Sequence, residues 1–125
     1  MSDDDKRTVV VTGGSRGIGR AICLSFAGPD TNVYFNYFSP VDPDVEKAAA
    51  DETEKLVADA GGSAKGLSVN VASKEEVVNF FKKVIDETNR IDVLVNNAGI
   101  TKDGFLVRMK ESDWDAVMDI NLKGA

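Results

Sequence analysis

Three glycines in the run Val9-Val10-Val11-Thr12-Gly13-Gly14-Ser15-Arg16-Gly17-Ile18-Gly19 have the spacing Gly13-x-x-x-Gly17-x-Gly19, and the chemistry they suit is anion binding. An apolar β-branched run enters the glycines and an amphipathic stretch, Arg20-Ala21-Ile22-Cys23-Leu24-Ser25-Phe26-Ala27, leaves them. That is a strand, a tight turn and a helix start, where turn amides and the helix dipole together favour a phosphate. A side chain at Gly13 would obstruct the turn and one at Gly17 would keep a pyrophosphate off the backbone. One at Gly19 would hold the helix away from the strand. Other chemistries are excluded by composition. With no histidine, neither a Ser-His-Asp triad nor a His-based zinc site can be built. Cys23, the only cysteine, falls in the helix's apolar stripe beside Ile18, Ile22 and Phe26 in the pattern, which predicts a buried, inert thiol.

The 125 residues allow one domain with a real core, and a net charge of −6 argues against a nucleic-acid surface. No apolar run is long enough to span a bilayer, and the acidic start, Met1-Ser2-Asp3-Asp4-Asp5-Lys6-Arg7, is no signal peptide. Residues 1–7 are expected to form a flexible tail. A lone cysteine permits no internal disulfide and fits a cytoplasmic protein.

The elements that must position the glycine turn follow in order. Gly28-Pro29-Asp30 reads as a helix stop, with Gly28 as the left-handed cap. Asn32–Phe38 reads as a second strand, and Asp42-Pro43 as the N-cap and first turn of a charged helix that ends at Gly61-Gly62. Lys65–Val71 is predicted as a third strand. Ser73-Lys74-Glu75-Glu76 reads as a capping box that opens a helix with an apolar face of Val77, Phe80, Phe81, Val84 and Ile85. Ile91–Val95 is predicted as a fourth strand. A loop then runs to Lys110, and a last helix carries Trp114, Val117, Met118, Ile120 and Leu122. Trp114, Met109 and Met118 read as packing residues, and Arg108 and Lys110 as solvated charges.

Alternating strands and helices predict a Rossmann-like half, an α/β three-layer sandwich. Its parallel sheet would have the order 3-2-1-4, with helices on both faces. The fourth strand would then be an exposed apolar edge, and the last helix would lack a packing partner. On this reading 1–125 is a single cofactor-binding Rossmann domain, the front half of a longer protein, and homodimerisation through that edge and helix would stand in for the rest.

Thr12–Gly19 together with Asn96-Asn97-Ala98-Gly99 resembles the short-chain dehydrogenase/reductase family, whose cofactor motif has the form T-G-x-x-x-G-[IL]-G and whose fourth strand ends in N-N-A-G. The run Asn97–Lys110 is similar, within that family, to bacterial 3-oxoacyl-(acyl-carrier-protein) reductases. The resemblance covers the chain from about Thr8 to its end. The second-helix region around Pro40–Asp51 departs from it by being a few residues longer.

The resemblance implies that Gly13, Gly17 and Gly19 hold a pyrophosphate lined by Ser15, Arg16 and Ile18. It further implies that Asn70 and Val71 contact adenine and that Asn97, Ala98 and Gly99, with Asn96, lie along the riboses. Asn121 would match the asparagine that holds a water in the proton relay. The implied reaction passes hydride from NADPH to a β-keto acyl group carried on acyl carrier protein, with no metal, nucleic acid or membrane involved. NADP(H) is expected over NAD(H), because the second strand ends Asn36-Tyr37-Phe38-Ser39 with no acid, while Arg16 and Ser39 offer a guanidinium and a hydroxyl to a 2′-phosphate. The family's catalytic serine and Tyr-x-x-x-Lys have no counterpart in the 125 residues, so this chain alone is expected to be inactive. The competing expectation is a non-catalytic half-Rossmann module that binds nucleotide or self-associates.

Overall fold

The computed structural model describes residues 6–97 and the backbone of Phe105–Arg108. Five strands form one sheet in the order β3-β2-β1-β4-β5. They are β1 (Arg7–Val11), β2 (Thr31–Tyr37), β3 (Ser63–Ser68), β4 (Val93–Asn96) and β5 (Phe105–Arg108). The first four are parallel, as the alternating pattern predicted, with Val9 opposite both Val33 and Val93. Three helices among the described residues connect them: α1 (Gly17–Ser25), α2 (Pro43–Asp59) and α3 (Lys74–Thr88).

Side-chain alternation along the strands divides the core in two. Val9, Val11, Val33, Phe35, Val93 and Val95 face α1 and α2, where Cys23, Ala50 and Val57 complete the layer. Val10, Tyr34 and Leu94 face the other way, against Phe80, Phe81 and Val84 of α3. These are the two helical faces expected of a three-layer sandwich. Cys23 is fully buried, and burial pushes its thiol up to about 12, so it is inert as predicted. Ile18, however, is not part of that buried stripe. It is 73% exposed at the mouth of the turn.

The helix ends explain where the remaining expectations held and failed. Asp42 caps α2 by accepting from the Val45 amide at 3.3 Å, with Pro43 at the first position. Gly61 takes a left-handed φ of 89° at the far end, as its position predicted. Gly28 does not play that part for α1. Phe26 closes the helix in a right-handed conformation, with its amide donating to the Cys23 carbonyl at 3.3 Å, so tightening of the last turn replaces a glycine cap. Ser73 caps α3 by accepting from the Glu76 amide, but the capping box is only half formed. The Glu76 carboxylate accepts from the Asn70 amide at 3.1 Å and thereby ties α3 to the loop after β3.

Two strand expectations need correction. β3 begins at Ser63 and ends at Ser68, earlier than the predicted Lys65–Val71. Its partner β2 ends at Tyr37, whose carbonyl takes the Val69 amide at 2.9 Å, so Asn70 and Val71 find no strand to pair with and turn away. The segment predicted as loop up to Lys110 contains β5, which pairs antiparallel with β4, Leu94 opposite Val107. An antiparallel edge on a parallel sheet is common, and it covers the edge of β4 that the sequence led us to expect exposed. The predicted last helix, with Trp114, Met118 and Leu122, lies outside the described residues, as does Met109.

At the amino ends of β1 and β4, Asp92 fixes their alignment. Its carboxylate accepts from the Thr8 amide at 2.8 Å and from the Arg90 guanidinium. Burial alone would raise its pKa, but the Arg90 and Thr8 hydrogen bonds and the charges of Arg90 and Arg7 outweigh it and hold the carboxyl below its usual range. The carboxyl ends of the strands, at the opposite edge, are left for function.

Candidate functional site

Between the neighbouring strands β1 and β4 the sheet changes its direction of winding, the position where open α/β sheets bind ligands. The glycine turn sits there, and a buried polar network holds it in place. Gly13 has a left-handed φ of 74° and Gly17 one of 61°. The Asn36 side chain, buried in β2, accepts from the Gly13 amide at 2.8 Å and donates to the Val69 carbonyl at 2.9 Å, while its own carbonyl takes the Gly14 amide at 3.1 Å. One asparagine thus clamps the turn to β2 and to the loop after β3.

On the other side, Thr12 joins the two sequence motifs. Its hydroxyl accepts from the Asn97 amide at 2.7 Å and lies 3.2 Å from Asn96 Oδ1. Asn97 Nδ2 reaches the Gly13 carbonyl at 3.4 Å. Beneath the turn, Arg20 donates to the Ser15 carbonyl at 2.7 Å, the Ala49 carbonyl at 2.9 Å and Thr53 Oγ1 at 2.9 Å. The fully buried Thr53 hydroxyl lies 2.9 Å from the Ser15 carbonyl and 3.1 Å from that of Gly14. Asn36, Arg20 and Thr53 are positioning residues that the sequence reading did not single out, and Thr12, read there as part of the motif, is a fourth. The signal for Asn36 was present, as a polar residue inside an aromatic, β-branched strand.

A Cβ at Gly19 would lie 1.7 Å from the Gly13 carbonyl oxygen, so this glycine permits the helix to start against the turn itself. Space above Gly17 is open, as a ligand resting on the backbone requires. Gly14, outside the predicted set, is needed for packing: its Cβ would come within 2.5 Å of Phe35 and 2.9 Å of Cys23 Sγ.

What the turn presents is an unusually bare helix end. Arg16 is the N-cap of α1, no side chain caps the helix, and its first turn carries no acid. The leading amides of a helix have no intrahelical acceptor. Both α2 and α3 satisfy theirs with Asp42 and Ser73 and carry acids in the first turn. The uncapped start of α1, with a guanidinium at its N-cap, fits a phosphate group.

Beside it runs a cleft of about 250 Å³ lined by Gly13, Ser15, Asn36, Tyr37, Phe38, Glu46, Val69, Asn70 and Val71. Asn70 and Val71, which the resemblance assigns to adenine, form one wall of this cleft. Asn70 Oδ1 accepts from the Ala72 amide at 2.9 Å, which shapes that wall as a turn. Ser39 is not among the lining residues. Its hydroxyl accepts from the Asp42 amide at 3.0 Å, in the approach to α2. Ala98, Gly99 and Asn121 lie outside the described residues. An acid does reach the cleft, from α2. Glu46, in the first turns of α2, lines the cleft and takes Arg16 in a two-point ion pair, Nη2 at 2.6 Å and Nε at 3.1 Å from one carboxylate oxygen.

Comparison with known proteins decides the lineage. The model of the short chain dehydrogenase family matches residues 7–125. The chain belongs to the short-chain dehydrogenase family. A short-chain dehydrogenase relative, the 3-oxoacyl-[acyl-carrier-protein] reductase of Synechocystis, is 44% identical over 118 residues, covering 94% of this chain and 45% of that protein. The 3-oxoacyl-[acyl-carrier-protein] reductase FabG of Staphylococcus epidermidis is 46% identical over the same length and covers 46% of its own chain. This short-chain dehydrogenase chain thus spans about half the length of the curated relatives it matches. Among solved structures, a metagenomic short-chain oxidoreductase in complex with NADP superposes with a TM-score of 0.65 at 33% identity, covering 79% of this chain and 41% of that one. A protein from Burkholderia cenocepacia described as a dehydrogenase, with NADP bound, gives 0.64 at 25% identity over 73% of this chain and 33% of its own.

Proposed function

We propose that this chain is the NADP(H)-binding half of a 3-oxoacyl-(acyl-carrier-protein) reductase, a single Rossmann domain that serves fatty acid biosynthesis in the cytoplasm. The observation that carries the proposal is the uncapped, acid-free start of α1 with Arg16 at its N-cap, beside a cleft that ends in Asn70 and Val71. The amides of Gly17, Ile18 and Gly19 take the pyrophosphate, and Asn70 and Val71 take the adenine. Asn97, with Ala98 and Gly99, lies along the riboses. Arg16 takes the 2′-phosphate as a bidentate partner. Ser39, whose hydroxyl accepts from the Asp42 amide and keeps its O–H to donate, offers that phosphate a second contact.

When bound, NADPH supplies a hydride to the β-keto carbon of a carrier-bound acyl group. The residues of this chain contribute binding and orientation, together with Asn121 in the proton relay. The 125 residues contain no Tyr-x-x-x-Lys, so no general acid can deliver a proton to the ketone oxygen, and the chain alone turns nothing over. The complete enzyme self-associates. The edge of β4 is not the route, because β5 already pairs with it.

Calorimetric titration with NADP+ and NAD+ tests this reading, together with an assay of NADPH oxidation using an acetoacetyl thioester. The expected result is tighter binding of NADP+ and no turnover by the 125-residue chain. A tenfold preference for NAD+ would overturn the cofactor assignment, and measurable turnover would overturn the assignment of an inactive half. Binding of NADP+ by a full-length chain that lacks reductase activity would favour a nucleotide-binding module instead.

A further inference from the structure

The Arg16–Glu46 pair raises a question that the cofactor reading does not answer. The residue offered to the 2′-phosphate already has an anionic partner, and that partner lines the nucleotide cleft. The Arg16 side chain is 60% exposed and therefore able to meet a ligand, whereas Glu46 is only 12% exposed, tucked between the cleft and the guanidinium. Glu46 also complements the end of its own helix. It sits in the first turns of α2, where the helix dipole favours a carboxylate. Its neighbour Lys47 does not neutralise it, being paired with Asp51 at 3.2 Å.

We propose that Glu46 is a specificity-determining residue of the cofactor site, an internal carboxylate that holds Arg16 in place of the 2′-phosphate and must release it when a 2′-phosphorylated nucleotide binds. The inference rests on the cofactor reading given above and goes beyond it in naming what sets the strength of the phosphate preference. A nucleotide with a 2′-hydroxyl leaves the ion pair intact. One with a 2′-phosphate exchanges one oxyanion partner of Arg16 for another and then meets the displaced carboxylate at short range. Glu46 therefore weakens 2′-phosphate binding selectively. The cleft keeps a measurable affinity for the unphosphorylated nucleotide even though β2 ends without an acid.

The test uses the 125-residue chain and two probes that differ only in the group at issue, 2′,5′-ADP and 5′-AMP. Affinities are measured by calorimetry for the wild type, Glu46→Gln, Arg16→Gln and the double variant, with circular dichroism as the check on folding. Glu46→Gln is expected to tighten 2′,5′-ADP about threefold to tenfold, in keeping with an exposed ion pair, and to shift 5′-AMP less than twofold. In the Arg16→Gln background the same change has little effect, and in the wild-type background its benefit shrinks as salt is raised. Equal tightening of both probes would overturn the proposal in favour of general charge reduction. Weaker 2′,5′-ADP binding by Glu46→Gln would overturn it by making Glu46 a support for Arg16. If the wild type prefers 2′,5′-ADP but Glu46→Gln changes nothing, only this inference fails. If no variant binds either probe, or all prefer 5′-AMP, the NADP(H) reading falls and takes the inference with it.

Discussion

Helices α1 and α2 both begin beside the same cleft, and their starts are furnished in opposite ways. The start of α2 is closed on itself: Asp42 accepts the Val45 amide, Pro43 removes a donor, and Asp44 and Glu46 complement the dipole. The start of α1 has none of these, only Arg16 at the cap and a glycine turn below it. Nor is the bare end poorly supported. Asn36, Arg20 and Thr53 hold the turn from behind with hydrogen bonds between 2.7 and 3.1 Å to its carbonyls and to the Gly13 amide, and Thr12 ties it to the Asn97 amide at 2.7 Å. The lesson is a division of labour. Local chemistry finishes the start of α2, while long-range contacts stabilise the start of α1, whose end is left uncapped.

Substitutions can break this contrast, and the largest effect is expected at Gly19. A methyl there meets the backbone carbonyl of Gly13, which no side-chain rotation can relieve. Gly19→Ala should cost about 3 kcal/mol in urea denaturation and abolish 2′,5′-ADP binding. Asn36→Ala comes next. It strips a half-buried amide and a buried carbonyl of their partners at once, so a loss of about 2 kcal/mol is expected, with weakened nucleotide binding because the turn is no longer clamped. The smallest effect belongs to the closed helix. Asp42→Ala removes one cap, costs about 1 kcal/mol, and should leave 2′,5′-ADP affinity within a factor of about two. Were Asp42→Ala to damage binding as much as Asn36→Ala, the contrast between the two helix starts would be lost.

Much of this was readable from the residues because it is local. Val9–Val11 running into Gly13, the Asp42-Pro43 start and the Gly61 stop each act within a few positions, and each stands as expected. What escaped depends on partners distant in sequence. The end of β3 is set by where β2 stops, at Tyr37, and not by the apolar character of Val69 and Val71. Nothing in Phe105–Arg108 taken alone says that it will pair antiparallel with β4. Gly28 looks like a cap in sequence, yet α1 is already closed by Phe26 before reaching it. The site shows the same limit. The end of β2 lacks an acid, as read, but an acid from α2 crosses to Arg16, and only the fold brings those two residues together.

Phe35 carries a last consequence. Its ring and Cβ lie where a methyl on Gly14 or on Gly66 would have to go, with approaches of 2.5 Å on both sides. These three positions crowd one volume: a larger residue at Gly66 would meet the ring, and one at Gly14 would meet the Phe35 Cβ and Cys23 Sγ. Drift at the glycine turn is thereby tied to drift in the strand β3. A designer who transplants the turn into another sheet would have to move all three residues as a set.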